Sequence, residues 1–286
     1  MDQSSEAYKR EEAQQWDNAA FAWHKWIPTI NAFLSVATQD MLDQAKIGEG
    51  DKVLDIAAGD GGQSVIAAAR VGKSGAVLAT DISPEFVKIA NRVARDNGLD
   101  HLRAEVMDAE NLSLESNYFD AAISRLGLMF LPDPLKGLTE IHRVLKLGGH
   151  FSAVVFTTPD KTPFFILPPK VIRDRLNLPS PILSESYHPG PFALGTEDHL
   201  VGLFRKAGFS DIEEAIIEAP LRFKTTEDFV LWRKEVAGSL QKMLDGQDPN
   251  TQKNIWNEVI DVMRQYETKD GFETPCELLI CSGQKA

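Results

Sequence analysis

Short apolar runs and longer amphipathic stretches alternate along residues 47–156. The runs KVLDIA (52–57), AVLAT (76–80), LRAEVM (102–107), FDAAIS (119–124) and GHFSAVVF (149–156) have strand length and composition, and apolar positions at helical spacing occupy 63–71, 84–96 and 134–146 between them. Nearly continuous apolar strands separated by helices predict an α/β fold: a parallel, doubly wound sheet covered on both faces. Ligands of such sheets bind beyond the carboxyl ends of the strands, where the strand order reverses. Residues 5–45 have helical periodicity and carry Trp16, Trp23 and Trp26, whereas 157–195 hold eight prolines. A helix (196–207), a strand (about 212–223), two helices (226–243 and 249–266) and a last strand (274–283) are expected to follow. No repeat, low-complexity tract or linker interrupts this order, so 1–286 read as a single domain. Its parts are an N-terminal helical cover (1–45), a binding core (47–156), a Pro-rich lid insertion (157–195) and a C-terminal part of the sheet with two inserted helices (196–286).

Composition narrows the function classes. Of the 286 residues 43% are hydrophobic and 25% charged, as in ordinary globular chains, and a net charge of −12 repels a phosphate backbone, so no nucleic acid is expected as partner. The polar start MDQSSEAYKREEAQQW and the lack of any apolar run near ~18 residues predict a cytoplasmic protein without integral membrane association. Cys276 and Cys281 lie five apart in one expected strand and point to opposite faces, which suggests neither a disulfide nor a metal site.

The turn in KVLDIAAGDGGQSVIAAA (52–69) joins the first strand to the first helix of the core. Gly59 and Gly61 allow close backbone approach by a ligand, and the helix from Gln63 offers unpaired N–H groups. A phosphate-binding P-loop is excluded, because AAARVGKS (67–74) has Ala67 at the first glycine position and follows a helix. The dinucleotide fingerprint also fails, since Ser64 stands where its third glycine belongs. Three acids complete the pattern: Asp55 within the first strand, Asp81 at the end of the second, 20 residues after Gly61, and Asp108 after the third. A carboxylate placed like Asp81 accepts both hydroxyls of a ribose without a 2′-phosphate, and Asp108 is placed to accept from an adenine amine. Each acid alone could equally cap the turn or helix that follows it.

With these features the sequence resembles the class I S-adenosylmethionine-dependent methyltransferases. VLDIAAGDGG matches the first motif of that family, with Ala57 at its usual first glycine, and the later motifs follow in order. They are Asp81 after AVLAT, MDAENL (107–112), FDAAISRLGLMFLPDP (119–134) and EIHRVLKLGGHF (140–151), covering roughly 45–156. The resemblance implies a Rossmann-like sheet of seven strands, mostly parallel with an antiparallel last strand, and S-adenosyl-L-methionine as cofactor with S-adenosyl-L-homocysteine as product. It implies cofactor-binding roles for Asp55, Ala57, Gly59, Gly61, Asp81, Ile82 on the adenine face, Asp108, Ala109, and Ser124 and Arg125 at the fourth strand end. GLMFLPDP is most similar to the ubiquinone/menaquinone C-methyltransferase type. Met129 and Phe130 replace polar residues usual there, implying a more apolar acceptor.

Methyl transfer by in-line displacement needs alignment more than a catalytic dyad. On the acceptor side the candidates are Trp23 and Trp26 as cover residues, Met129, Phe130, Phe164, Tyr187 and His188, with His188 also the candidate base; an exposed loop pair is the bland alternative for Tyr187 and His188. Arg125 could instead pair with Asp133, and the three tryptophans could be a packed stripe. His24, His142 and His199 read as surface or packing residues. The expected activity is methyl transfer to a small, partly apolar O-, N- or C-acceptor by a monomer or homodimer, with a quinone or isoprenoid as the alternative acceptor. An NAD-dependent oxidoreductase and a non-catalytic cofactor-binding regulator are the competing classes; the first would need an intact glycine fingerprint and the second a filled acceptor cavity.

Overall fold

A computed structural model describes residues 3–179, 188–196 and 198–286. Three N-terminal helices, α1 (Gln3–Lys25), α2 (Ile27–Phe33) and α3 (Ser35–Gln44), precede the alternating core. The core runs β1 (Lys52–Ile56), α4 (Gly62–Val71), β2 (Ala76–Asp81), α5 (Pro84–Asp96), β3 (Leu102–Val106), β4 (Phe119–Arg125), α6 (Pro134–Val144) and β5 (Leu145–Phe156). Then come α7 (Pro163–Leu176), α8 (His199–Lys206), β6 (Phe209–Glu218), β7 (Leu221–Phe223), α9 (Thr226–Val236), α10 (Gly238–Leu244) and α11 (Pro249–Met263). A hairpin of β8 (Glu267–Thr268) and β9 (Gly271–Thr274) leads into β10 (Glu277–Lys285).

The large sheet has the order β3-β2-β1-β4-β5-β10-β6, and β10 runs antiparallel to both its neighbours. This is the seven-stranded arrangement expected from the sequence. β1 pairs in parallel with β2 on one side (Leu54 beside Leu78) and β4 on the other (Val53 beside Ala121), so the strand order reverses at its carboxyl end. Val53, Leu54 and Ile56 are fully buried because helices cover both faces of this central strand, which is why its sequence is apolar without alternation.

Helix starts in the core carry their own signals. Ser83 caps α5, accepting from the Phe86 N–H at 3.1 Å with Pro84 in the first turn, and Asp133 caps α6, accepting from the Lys136 N–H at 3.0 Å ahead of Pro134. α5 spans 84–96 as expected and buries Phe86, Val87, Ala90 and Ala94 along one face.

Outside the core the structure departs from the sequence expectation. The Pro-rich segment is not a loop throughout: it contains α7, which buries Phe164, Pro168 and Ile172 despite two interior prolines. Interior proline costs a helix ~3 kcal/mol, and here the apolar face outweighs that cost. The single strand expected at 212–223 divides at Ala219 and Pro220, and its second piece, β7, joins β9 and β8 in a separate three-stranded sheet. The helix expected at 226–243 breaks at Ala237, and α8 starts at His199 behind Asp198 instead of Thr196. Cys276 lies just before β10 and Cys281 within it; both thiols are free and burial pushes both up to about 12. Among the described residues no helix is long and apolar enough to cross a membrane.

Candidate active site

Beyond the carboxyl ends of β1, β2 and β4 lies a cavity of about 160 Å³. Its floor is the turn that follows β1. Ala57 adopts φ +53°, Gly59 φ +59° and Gly61 φ +83°, a run of left-handed residues that folds the backbone sharply before α4. A side chain on Gly59 would meet nothing closer than Phe86 Cε1 at 4.0 Å, because that position opens onto the cavity. Gly61 faces the other way: a Cβ there would sit 3.2 Å from Ala90 Cβ, so this glycine serves the approach of α5 and is not on the cavity wall.

Asp55 is also placed behind the wall. Its carboxylate accepts from the Ser64 hydroxyl at 2.5 Å and the Gln63 amide at 3.2 Å, while Gln63 also reaches the Ala58 carbonyl at 3.3 Å. Burial pushes Asp55 up to about 7, against the lowering pull of these two donors and of the Arg125 charge. The first acid thus holds the turn in shape from beneath instead of reaching a ligand.

Asp81 does reach the cavity. Its Oδ2 accepts from the Gly59 N–H at 2.8 Å and its Oδ1 from the Ser83 N–H at 2.9 Å, and burial raises it to about 6 against those hydrogen bonds. Ile82, Asp108 and Ala109 line the same end of the cavity. Asp108 takes its Oδ2 to Lys9 Nζ at 2.8 Å, and that ammonium also meets Glu110 Oε2 at 2.7 Å. Burial lowers the Lys9 pKa, but the hydrogen bonds and charges of the two carboxylates outweigh it and leave the group above its usual value.

At the opposite end stands Arg125, 9% exposed, with Nη1 donating to Thr38 Oγ1 at 2.8 Å. Among the described residues no carboxylate lies within ion-pairing distance; Asp133 instead caps α6. Burial lowers the Arg125 pKa, opposed by the charges of Asp55 and Asp60. Leu126, beside it on the wall, is held at φ +61°, so the cavity is bordered on both sides by non-glycine residues in the left-handed region. Ser124 is buried with its Oγ unpartnered and lies off the wall.

The roof is one face of α1. Tyr8, Glu12, Trp16 and Trp23, at helical spacing, all line the cavity, and Trp16 packs edge-on against Trp23 and Phe130 with ring centroids 6.0 and 5.3 Å apart. The tryptophan stripe expected from the sequence extends upstream to Glu12, Lys9 and Tyr8, which also line the cavity. Asp60, close to His24 Nδ1 at 3.4 Å, and Phe86 are further wall residues that the sequence pattern did not single out.

Several acceptor-side expectations are corrected. Trp26 sits where α1 ends; its indole donates to Glu235 at 2.6 Å and packs on Phe223, away from the cavity. Met129 is buried below Phe130, with its carbonyl accepting from the Gly190 N–H at 2.8 Å. Phe164 belongs to the core with Phe33, Phe156 and Trp232. His188 is exposed and off the wall, and Tyr187 lies outside the described residues.

A family model described as "Methyltransferase domain" matches residues 54–153, the segment that builds the cavity floor. The aklanonic acid methyltransferase DauC of Streptomyces sp. strain C5 is 29% identical over 153 residues, 54% of this chain and 67% of that protein. The demethylmenaquinone methyltransferase of Geobacillus kaustophilus is 27% identical over 181 residues, 61% of this chain and 77% of that protein. In fold, the YcgJ protein of Bacillus subtilis superimposes with a TM-score of 0.59 at 16% identity, covering 88% of this chain and 98% of that one. The strand order, the site beyond β1 and these matches together support a class I S-adenosylmethionine-dependent methyltransferase, similar to the ubiquinone/menaquinone C-methyltransferase type.

Proposed function

We propose that the cavity under α1 is where this enzyme holds S-adenosylmethionine, and that the methyl group passes to a small, mainly apolar organic acceptor. The observation that carries the reading is the pairing of opposite chemistries at the two ends of one cavity: the Asp81 carboxylate at one end and, at the other, the Arg125 guanidinium, which has no carboxylate partner among the described residues. A ribose and an amino-acid carboxylate, the two polar ends of this cofactor, need those two partners. The open Cβ direction at Gly59 fits the close backbone approach between them.

In this reading Asp81 accepts from the ribose hydroxyls, Ile82 and Ala109 contact the adenine, and Asp108 accepts from its amine while Lys9 holds that carboxylate in place. Arg125 takes the carboxylate, and Ala57 and Gly59 shape the floor. Bound S-adenosylmethionine supplies an activated methyl group. The protein's part is to align the acceptor with it, and alignment of that kind is worth roughly 7–11 kcal/mol. Trp16, Trp23, Phe86 and Phe130 exclude water from that approach. A positioned base would add only about 10²–10⁴-fold, and exposed His188 is not assigned that part.

The relatives are named for aklanonic acid and demethylmenaquinone, and the aromatic roof supports an acceptor of comparable apolar character, a quinone or isoprenoid among them. We further read the chain as one catalytic unit, cytoplasmic, monomeric or dimeric, and, given its net charge of −12, without a nucleic-acid partner. Calorimetric binding tests the assignment: Asp81→Ala should weaken S-adenosylhomocysteine affinity by about 1.5–3 kcal/mol, and NAD should not bind wild type. Unchanged affinity in the folded variant would remove Asp81 from the ribose site.

A further inference from the structure

One buried charge lies outside the site just described. Arg233 on α9 is 4% exposed, its Nε is sealed from solvent without a partner, and among the described residues its guanidinium makes no hydrogen bond and no ion pair. It lies over the Phe165 ring at 4.8 Å and beside the Trp232 ring at 5.4 Å. Burial pushes its pKa down to about 10, and no acid works against that. Arg125, by contrast, feels both Asp55 and Asp60.

Its position is informative. Phe165 packs on Phe156, the last residue of β5, at 5.1 Å and on Phe192 at 5.9 Å. β5 is the neighbour of β4, with Val154 beside Arg125. Through Phe165, Arg233 is thus tied to the carboxyl end of β5, one strand along from the end of β4 that carries Arg125. Gly190, close to Phe192 in the chain, docks on Met129, next to Phe130 of the cavity wall. A lone guanidinium carries a large desolvation penalty that two aromatic faces only partly offset, whereas a bound oxyanion would complete it.

We propose that Arg233 binds an anionic group of the methyl acceptor, which is then an amphiphile: an apolar body resting against Phe165 and Phe192 and an oxyanion, carboxylate or phosphate, on the guanidinium fork. The geometry of such a fork matches either group in two parallel hydrogen bonds. This rests on the methyl-transfer reading and adds the class of its acceptor.

The test is calorimetric titration of wild type, saturated with S-adenosylhomocysteine, with octanoate, octyl phosphate and octanol. At least one anion should bind roughly 10–100-fold more tightly than octanol, as a charge-assisted contact predicts, and the tighter of the two identifies carboxylate or phosphate. Arg233→Met should bring the anion to the octanol level, leave S-adenosylhomocysteine affinity within about twofold and keep or raise the melting temperature. Arg233→Lys should retain part of the preference. Equal binding of octanol and both anions to wild type overturns the proposal, as does an anion preference that survives in Arg233→Met, or loss of thermal stability in that variant with anion binding intact. If Arg233→Met does not fold, the wild-type comparison and Arg233→Lys decide. Wild type that binds octanoate or octyl phosphate selectively but not S-adenosylhomocysteine would sink the methyl-transfer reading and leave the anion site standing.

Discussion

At the scale of single residues, Ala57 shows how a small side chain constrains its surroundings. Alanine at φ +53° pays a backbone cost that glycine would not, and a Cβ built on Gly127 would fall 2.4 Å from the Ala57 Cβ. Gly127 itself has φ −102°, which any residue adopts, so it is the neighbours that demand glycine there, Ala57 foremost and Ser124 Oγ next at 3.1 Å. Gly127→Ala should therefore destabilise by about 1–3 kcal/mol, and Ala57→Gly should restore most of that loss. Urea unfolding of the four proteins in this double-mutant cycle measures the coupling, and additive effects would show that the two positions do not meet. Asp55 gives a pH-dependent counterpart. Its pKa is raised from 3.8 to about 7, so the folded chain keeps a proton that the unfolded chain releases, and stability falls as pH rises through that window. Against Asp55→Asn, wild type should lose up to about 1.4 kcal/mol per pH unit between pH 4 and 7; parallel stability curves would show that this carboxyl is not the titrating group. The acid in β1 was legible from its motif, but its orientation was not, because the strand is buried on both faces and its sequence does not say which face meets the ligand.

At the scale of elements, the N-terminal helix is pinned to the rest of the fold by charged side chains as well as by Trp16. Lys9 joins it to Asp108 and Glu110, Asp17 accepts from the Ser83 hydroxyl at 2.5 Å and the Glu85 N–H at 3.1 Å, and Lys25 reaches Glu235 at 2.7 Å. Removing Lys9 leaves Glu110, 2% exposed, without its cation, a loss of about 3–5 kcal/mol in comparable buried pairs. Lys9→Met should speed proteolysis within residues 3–25 and lower S-adenosylhomocysteine affinity. In wild type, added S-adenosylhomocysteine should slow that cleavage, and equal cleavage rates with and without it would deny α1 the role of a roof. The helix was legible from its periodicity, but its pin was not: Lys9 and Asp108 are 99 residues apart, and nothing local in either stretch names the other. Local signals did mark α5, whose Ser83-Pro84 start can be read directly, whereas α7 was hidden because prolines that argue against a helix are held there by packing.

At the scale of the whole molecule, the alternating core was readable because β1, β2 and β4 are each followed by a helix and every pairing among β1–β5 joins near neighbours in the chain, while the C-terminal third pairs across long distances. β7 finds β9, with Leu221 beside Thr274, and β10 enters between β5 and β6, with Leu279 beside Val155 on one side and Ile216 on the other. Deleting residues 277–286 would remove the shared partner of two strands, expose Phe156 and Phe209, and should abolish soluble folded protein. Deleting 3–25 should instead leave a folded core, as circular dichroism and size-exclusion chromatography would register; a folded, monomeric product of the first deletion would show that the sheet closes without β10. The position of β10 also has a consequence during biosynthesis. β6 emerges well before β10, the strand that joins it to the large sheet, so on the ribosome its backbone edge lacks that partner. Over that interval the nascent chain is open to pairing with another chain, and slowing elongation across residues 219–276 should reduce the yield of native enzyme even though every contact of the finished fold is unchanged.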